Sequence, residues 1–261
     1  ILPSVEKVLA PGGIALCDAG TGIGKTFAYL TAGILHGKCR AAEGRPQRPI
    51  LISTSSIALQ NAIQKEYLPL LSGVLLSEGL VSAPIEAVIR KGKAHYVCDA
   101  RLMKRLQTAN LDRKNPLAKA ALLSMRDHLD LDMAPHLSGY DRERICVPPT
   151  CDCGKTECRY LCYLDVCASE RYAIQVCNHN LLLADAIHQG SGKRPILPDS
   201  CAIVMDEAHK LPETARQMFG ITLAAGELHT LCRKLRREQF LLAAETLEDT
   251  AGLLLSEIAK P

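Results

Sequence analysis

Residues 19 to 26 read AGTGIGKT, a glycine-rich stretch that ends in a lysine and a threonine. Glycine lets the backbone of such a stretch curl until its N–H groups face phosphate oxygens. The spacing then brings Lys25 to the β- and γ-phosphates of a nucleotide and Thr26 to Mg²⁺. The alternative is a glycine-rich turn that binds no ligand. The pattern predicts an ATP-binding loop of Ala19, Gly20, Thr21, Gly22, Ile23, Gly24, Lys25 and Thr26.

A second candidate group follows an apolar run later in the sequence and reads VMDEAH at 204–209. Asp206 suits the Mg²⁺ shell, and Glu207 suits a general base that positions an attacking water. His209 is a candidate for coupling the nucleotide state to a second lobe. Two acids after an apolar strand are common at surfaces, so the motif gains weight only beside the glycine-rich loop. Together the two motifs predict Mg-ATP hydrolysis with Lys25, Asp206, Glu207 and His209 as catalytic residues.

Cysteine is unusually dense between residues 150 and 167, which read TCDCGKTECRYLCYLDVC and hold five of the twelve cysteines. Disulfide-dense domains are usually small and secreted, whereas this chain is long and begins without the pattern of a signal peptide. We therefore expect a cytoplasmic protein in which clustered thiols are metal ligands. By chemistry alone, four thiolates suit a [4Fe–4S] cluster or a structural Zn²⁺ equally well. Disulfides are the third alternative.

The bulk composition is that of a folded protein without a dominant charge. A hydrophobic share of 48% is enough for a real core and argues against disorder. The net charge of +3 does not by itself indicate a nucleic-acid binder, so any basic surface must be local. No apolar stretch is long enough to span a bilayer, and no membrane partner is expected.

The elements that must position these residues alternate between strand and helix in the first half of the chain. Apolar runs predict β-strands at 14–18, 50–55, 85–92, 172–180 and 201–209. Helical periodicity predicts helices at 25–36, 57–71, about 99–110 and about 116–130. This alternation predicts an α/β fold with βαβ units and a parallel sheet. The break at 93–168 indicates an insertion between strands, and the sequence after Pro212 is largely helical.

Five motifs, in order along the chain, resemble those of the superfamily 2 helicases of the XPD–DinG group, and most of all DinG. They read AGTGIGKT, STSSIALQNAI (53–63), RKGKAHYVC (90–98), CNHNLLLAD (177–185) and VMDEAHKL (204–211). The resemblance covers nearly the whole chain. It implies an ATP-dependent 5′-to-3′ DNA helicase with two RecA-like lobes, whose first lobe carries a [4Fe–4S] domain and a helical arch as insertions.

The resemblance also implies how the chain is divided. The fold class is a RecA-like P-loop lobe with a parallel sheet, a small cysteine-rich helical insertion and the start of a helical arch insertion. The lobe is assigned to 1–91 and 171–215, the iron–sulfur insertion to 92–170 and the arch to 216–261. The family's second RecA-like lobe is expected outside this sequence, so the chain alone should hydrolyse nucleotide poorly.

By resemblance, four cysteines are the cluster ligands. Cys98 follows the basic KG-x-x-x-Y segment, as the first ligand does in the family. The other three come from the later cluster, where the last spacing departs from the usual DinG pattern. The implied set is Cys98, Cys153, Cys158 and Cys162, with Cys146, Cys151 and Cys167 as alternatives.

A further set of residues is implied to contact DNA. The hydroxyls of STSS and the N-terminus of the following helix would touch the DNA backbone, although a strand end with a helix N-cap explains them equally. The basic residues around the first cysteine would contact phosphates or form an ordinary solvated face. The tyrosine there would contact a base or pack beside the metal. The set is Ser53, Thr54, Ser55, Lys91, Lys93, Tyr96, Asn178 and His179.

The predicted function is therefore a DNA helicase that couples ATP hydrolysis to movement on single-stranded DNA and to duplex unwinding. Its cofactors would be ATP, Mg²⁺ and a [4Fe–4S] cluster, and its substrates single-stranded, forked or R-loop DNA. A single-strand-binding protein or a CRISPR guide-RNA complex is a candidate partner. Two alternatives stay open, namely a helicase subunit loaded by such a guide-RNA complex and a non-catalytic, metal-stabilised DNA-binding module.

Overall fold

The computed structural model describes residues 13–20, 22–108, 116–151, 158–169, 171–220 and 225–258. The centre of the fold is a sheet of four parallel strands in the order β2-β3-β1-β4. The α/β fold and the parallel sheet predicted from the sequence are confirmed. The strands are β1 (Ile50–Ser53), β2 (Glu86–Ile89), β3 (Tyr172–Cys177) and β4 (Ala202–Met205).

The register of the sheet brings three strand ends to one level. Ser53, the last residue of β1, lies opposite Cys177 of β3 on one side and Met205 of β4 on the other. The carboxyl ends of parallel strands form the edge where α/β proteins bind their ligands. All four residues of β1 are buried. Its sequence ILIS, three apolar residues followed by a serine, is typical of a central strand in a parallel sheet.

Helices on this lobe bury their apolar residues against the sheet. Helix α1 (Lys25–Ala42) passes so close to β1 that a Cβ on Gly33 would lie 2.6 Å from Ile50 Cδ1. A second long helix is interrupted by one π-helical turn, Ile63–Tyr67, which lies between α2 (Ile57–Ala62) and α3 (Leu68–Ser77). The resulting core contains Leu30, Ile34, Ile50, Ile52, Ile63, Leu68, Leu71, Leu75, Ala87, Ile174 and Val176.

The insertion has a core of its own. Val97, Leu102, Met125, Leu131 and Ile145 are each at most 2% exposed and pack together. A compact insertion between β2 and β3 is the arrangement that the sequence predicts, although the family boundaries of 92–170 stay a prediction. Its described helices are α4 (Asp99–Thr108), α5 (Pro116–Ser124), α6 (Gly139–Ile145) and α7 (Arg159–Ala168).

Two tyrosines join the insertion to the sheet. The hydroxyls of Tyr96 and Tyr163 are 2.9 Å apart, and Tyr163 donates to the carbonyl of Ile89 at 3.1 Å. Ile89 is the last residue of β2, so the cysteine-bearing helix α7 is hydrogen-bonded to the carboxyl end of that strand. Tyr96 also accepts the backbone N–H of Lys91 at 3.2 Å.

The remaining helices follow the last strand. They are α8 (His179–Gly190), α9 (Leu211–Phe219), α10 (Ala225–Arg237) and α11 (Leu241–Ile258). The chain divides into one compact unit of 1–211 and another of 212–261. Within the second unit, α10 and α11 pack together and bury Cys232 and Ala244. None of the helices in the described ranges combines the length and apolar content that a bilayer crossing needs.

Two predicted elements differ in the structure. The prediction of a buried strand at 14–18 is wrong, because Ile14 and Leu16 are 91% and 94% exposed. A strand needs a neighbouring strand to satisfy its backbone groups, and residues 13–20 pair with none among the described strands. The helix predicted at 116–130 ends at Ser124, because a turn follows and Asp130 caps a short 3₁₀ helix at Leu131–Met133.

Candidate functional site

The glycine-rich loop opens α1 in a conformation that needs its glycines. Gly22 and Gly24 have φ values of 79° and 80°, in the left-handed region that residues with a Cβ rarely adopt. Helix α1 starts directly after Gly24, with no side-chain cap and no acidic residue in its first turn. Its N-terminus is therefore left for an external anion. Lys25 Nζ donates to the carbonyl of Ala19 at 2.8 Å, which folds the lysine back over the loop.

The other predicted residues of the glycine-rich loop differ in their exposure. Thr26 is half-buried and Gly20 and Ile23 are exposed, whereas Thr21 lies outside the described residues.

The acidic pair lies at the carboxyl end of β4. The N–H of Asp206 donates to the carbonyl of Ser53 at 2.8 Å, and Thr54 Oγ1 lies 3.4 Å from Asp206 Oδ2. Glu207 has a φ of 55°, which is unusual for a residue with a side chain. Its carboxylate lies 3.4 Å from His209 Nε2 and 3.6 Å from Lys210 Nζ. The predicted base is thus held in a strained turn beside two nitrogen groups.

The region between the loop and the acids suits a hard cation. The Tyr29 hydroxyl is buried, faces Thr26, and lies within electrostatic range of Asp206. It makes no hydrogen bond of normal geometry within the described part of the chain, and burial raises the pKa of this phenol. A hydroxyl and a carboxylate are hard oxygen ligands of the kind that Mg²⁺ takes, and a buried phenol beside them can hydrogen-bond to its waters. The residues present therefore fit a Mg–nucleotide site.

The predicted DNA-contacting residues at the end of β1 are mostly enclosed. Ser53 and Thr54 are fully buried, and Ser55 alone among the three serine and threonine candidates is exposed. Ser56 caps α2 by accepting the N–H of Leu59 at 3.2 Å. The N-cap role that the sequence allows is thus observed, and contact of this segment with DNA stays a prediction.

The asparagine–histidine pair after β3 has two separate roles. Asn178 caps α8 by accepting the N–H of Leu181 at 2.8 Å. His179 is 2% exposed, and its Nδ1 is 2.7 Å from Ser53 Oγ. Burial lowers the pKa of His179, against the opposing effect of the neighbouring backbone carbonyls of the acidic loop. The imidazole is therefore a neutral buried group at the strand ends.

The basic segment after β2 is engaged differently at each position. Lys91 Nζ is held by Asp130 and Asp132 at 2.6 and 2.8 Å. Tyr96 is 3% exposed, and its ring packs within the insertion in the cluster that contains Cys98. Lys93 is exposed and donates only to the carbonyl of Pro149 among the contacts described, which leaves it best placed for a phosphate.

The candidate metal ligands are only partly brought together. Cys98 is buried, and Cys158 packs against the same cluster as Cys98. Cys162 is exposed one turn after Cys158 on α7, and Cys153 lies outside the described residues. Among the residues that the structure describes, no three potential ligands form a group that could hold a metal. The [4Fe–4S] assignment therefore stays a prediction.

The three alternative ligands occupy different surroundings. Cys146 is half-buried beside Arg101, Cys151 is exposed, and Cys167 is fully buried. Burial raises the pKa of the Cys167 thiol, which makes the thiolate form required of a ligand less accessible.

Comparison with known proteins places this geometry in context. No protein-family model matches the sequence. The chain is 28% identical over 248 residues to "ATP-dependent DNA helicase YoaA" of Haemophilus influenzae, an alignment that covers 88% of this chain and 35% of the relative. It is 26% identical over 259 residues to "ATP-dependent helicase DinG" of Mycobacterium tuberculosis, covering 90% of this chain and 37% of the relative. The chain is thus similar to helicases named YoaA and DinG over most of its length.

The DinG-like resemblance read from the motifs is confirmed, and it has a defined extent. Another relative, "3'-5' exonuclease DinG" of Bacillus subtilis, is 29% identical over 231 residues, covering 83% of this chain and 22% of the relative. The chain spans about a third of the length of the first two curated relatives, which are both named YoaA.

Sequence reasoning missed two residues near this candidate site. Tyr29 carries no motif signal, because a tyrosine at a helical core spacing is ordinarily a packing residue. Arg90 looks like part of the basic segment, but it is 5% exposed and bonds to Gln175 Oε1 and to the carbonyl of Ile196. The position of Arg90 near the end of the predicted strand is the one sequence feature that could have indicated this buried role.

Proposed function

We propose that this chain forms the nucleotide-binding RecA-like lobe of an ATP-dependent DNA helicase. The observation that carries the proposal is the convergence of both motifs on one buried hydroxyl. Tyr29 faces Thr26 of the glycine-rich loop and lies within electrostatic range of Asp206 of the acidic pair. The helicase names of relatives that align over most of this chain support the same activity.

In this proposal, each residue of the nucleotide site has one task. Backbone N–H groups of the glycine-rich loop and the N-terminus of α1 bind the phosphates. Lys25 leaves the Ala19 carbonyl and moves to the β- and γ-phosphates. Thr26 and Asp206 would hold Mg²⁺, which supplies charge neutralisation on the phosphates when bound.

Glu207 is the proposed general base. It takes a proton from the attacking water as the water oxygen forms its bond to the γ-phosphorus and the bond to the leaving ADP oxygen breaks. To do so, its carboxylate must turn from His209 and Lys210 toward the phosphates. Movement between two arrangements is consistent with the left-handed backbone of Glu207.

The DNA path in this proposal runs along exposed groups only. Ser55 and the N-terminus of α2 are candidates for one phosphate contact, and Lys93 of the insertion for another. The proposed substrates are single-stranded and forked DNA, with 5′-to-3′ movement and a cytoplasmic location. Loading by a guide-RNA complex or a single-strand-binding protein rests on the motif resemblance alone, and no contact among the residues that the structure describes favours it.

The cysteine set is proposed to staple the insertion rather than to take part in ATP hydrolysis. Cys98 and Cys158 share one buried cluster, and Cys162 and Cys153 would complete four thiolates around a [4Fe–4S] centre. Chelation closes long chain segments and so stabilises a small domain. Zn²⁺ bound by the same four thiolates is the alternative.

The test is Lys25→Ala in the intact gene product, with Lys38→Ala as the matched control. Both lysines lie on α1, but Lys38 is exposed near its far end. We expect Lys25→Ala to abolish DNA-stimulated ATP hydrolysis and unwinding while single-stranded DNA binding persists, and Lys38→Ala to change neither. Forked substrates with a single 5′ or 3′ tail measure the polarity.

Two outcomes would contradict the proposal. Hydrolysis that survives Lys25→Ala would refute the nucleotide site. DNA binding without any nucleotide hydrolysis in the wild type would favour the non-catalytic DNA-binding module instead.

A further inference from the structure

A buried histidine joins two neighbouring strands at the nucleotide edge of the sheet. Ser53 is the last residue of β1, and His179 is the first residue of α8, directly after β3 and its cap. The two side chains are 2.7 Å apart at Ser53 Oγ and His179 Nδ1, although they are 126 positions apart in sequence. At 0% and 2% exposure, neither side chain can reach a DNA strand in this arrangement.

The same pair meets the acidic loop from the other side. The carbonyl of Ser53 accepts the N–H of Asp206 at 2.8 Å. His179 Nε2 faces the backbone of Asp206 and Glu207, yet it makes no hydrogen bond of normal geometry within the described ranges. The imidazole therefore lies between the end of β1 and the loop that carries the proposed Mg²⁺ ligand and base.

A buried nitrogen without a partner is uncommon in folded proteins and calls for an explanation. When the Ser53 hydroxyl donates to Nδ1, the proton of the neutral ring is on Nε2 and points toward the loop carbonyls. A small approach of the loop would complete that hydrogen bond. If this position only filled space in the core, an apolar side chain would stabilise it better, because it leaves no polar atom unsatisfied.

We propose that His179 is a positioning residue that couples the Asp206–Glu207 loop to the segment Ser53–Ser56. This inference rests on the proposed function, because it takes the loop as the nucleotide side and the segment as the DNA side. The ring bonds the loop more closely in the nucleotide-bound form and transmits the shift to Ser53. Because Ser56 caps α2, the shift reorients the N-terminus of that helix and the exposed Ser55.

The coupling can be measured as a change in affinity. The dissociation constant of a fluorescein-labelled oligothymidylate is determined by anisotropy, without nucleotide and with Mg²⁺ plus a non-hydrolysable ATP analogue. For the intact wild-type protein we expect a change of about tenfold, within the usual range for linked sites. The variants are Ser53→Ala, His179→Gln and His179→Asn.

The three variants separate the two sides of the ring. Ser53→Ala removes the hydroxyl, and His179→Gln keeps a polar group near the Nε2 position but loses the one near Nδ1. Both should reduce the nucleotide effect on DNA affinity to less than about twofold. His179→Asn keeps a polar group near Nδ1 but loses the one that faces the loop, so it should reduce the nucleotide effect as well. His188→Gln, on the last turn of the same helix, is the control and should behave as wild type.

The outcomes distinguish this inference from the proposed function. The inference would be overturned if the nucleotide analogue did not change the DNA affinity of the wild type. It would also be overturned if Ser53→Ala and His179→Gln kept the full nucleotide effect and showed only a lowered Tm. Ser53→Ala keeps the test valid when a histidine variant does not fold. The proposed function fails separately, when Lys25→Ala still binds and hydrolyses ATP.

Discussion

Arg90 offers a sharp test of which basic residues belong to the core and which to a DNA path. Its guanidinium is buried at 5% exposure and donates to Gln175 Oε1 at 2.9 Å and to the carbonyl of Ile196 at 3.0 Å. Gln175 in turn donates to the carbonyl of Cys167 at 2.5 Å. The chain of bonds joins β2, β3 and the cysteine-bearing helix α7. Within the described residues, Arg90 forms no ion pair with a carboxylate.

Arg90→Met should therefore destabilise the fold. It leaves two buried acceptors without donors, which costs about 1–3 kcal/mol each. Removal of a buried charge offsets part of this loss of stability. We expect a net loss of about 3 kcal/mol in the free energy of unfolding. For a unit of this size, this corresponds to a Tm lowered by roughly 6–12 °C. Arg90→Lys keeps the charge but cannot donate to both acceptors, so its stability should lie between those of the wild type and Arg90→Met.

Urea unfolding followed by circular dichroism measures the loss, and Lys104→Met is the matched control. Lys104 is an exposed residue of α4, so its replacement should change stability by less than about 0.5 kcal/mol. The reasoning would be refuted if Arg90→Met kept wild-type stability and instead reduced the salt dependence of single-stranded DNA binding. A reduction of that kind is the behaviour of a surface phosphate contact.

Three further outcomes are expected. Burial alone would raise the pKa of Asp132, but hydrogen bonds from Lys91 and Arg142 outweigh it and lower that pKa to about 2. Its stabilisation is complete above roughly pH 4 and is lost as the pH falls toward 2, so Asp132→Asn should flatten the acid unfolding curve there. Asp185→Ala leaves two backbone N–H groups without their acceptor and should cost about 3 kcal/mol in urea unfolding. Anaerobically purified protein should contain near-stoichiometric iron and sulfide, and Cys98→Ser should lower both; zinc alone would support the structural alternative.

The sheet was predictable because its strands carry their own signal. The apolar runs around Ile50, Ala87, Ile174 and Ala202 each form a strand within the predicted range, and parallel pairing follows from the intervening helices. The run at 14–18 has a similar apolar composition, but it pairs with none of the strands in the described part of the chain. Local sequence reports the preference of a segment, whereas a strand also needs an edge on which to pair.

The site was predictable in its residues but less so in their surroundings. The glycine pattern predicts the left-handed positions at Gly22 and Gly24, and the structure has them. The burial of Tyr96 and His179 depends on contacts with residues 67 and 126 positions away, Tyr163 and Ser53. Such pairings are decided by tertiary packing, which no short motif encodes. Helix α7 was not predicted, because its cysteines indicate metal ligands more strongly than its spacing indicates a helix.

The π-helical turn at Ile63–Tyr67 makes the length of its helix as informative as its composition. A π turn holds one residue more than an α-helix needs over the same rise, so deletion of one residue there would leave a regular helix. Because the bulge absorbs its extra residue, that deletion would leave Leu68, Leu71 and Leu75 facing the core that they now fill. The fold should therefore accept the loss of one residue at this turn, such as the exposed Lys65, whereas the loss of one residue within α3 would rotate all later residues of that helix by about 100°.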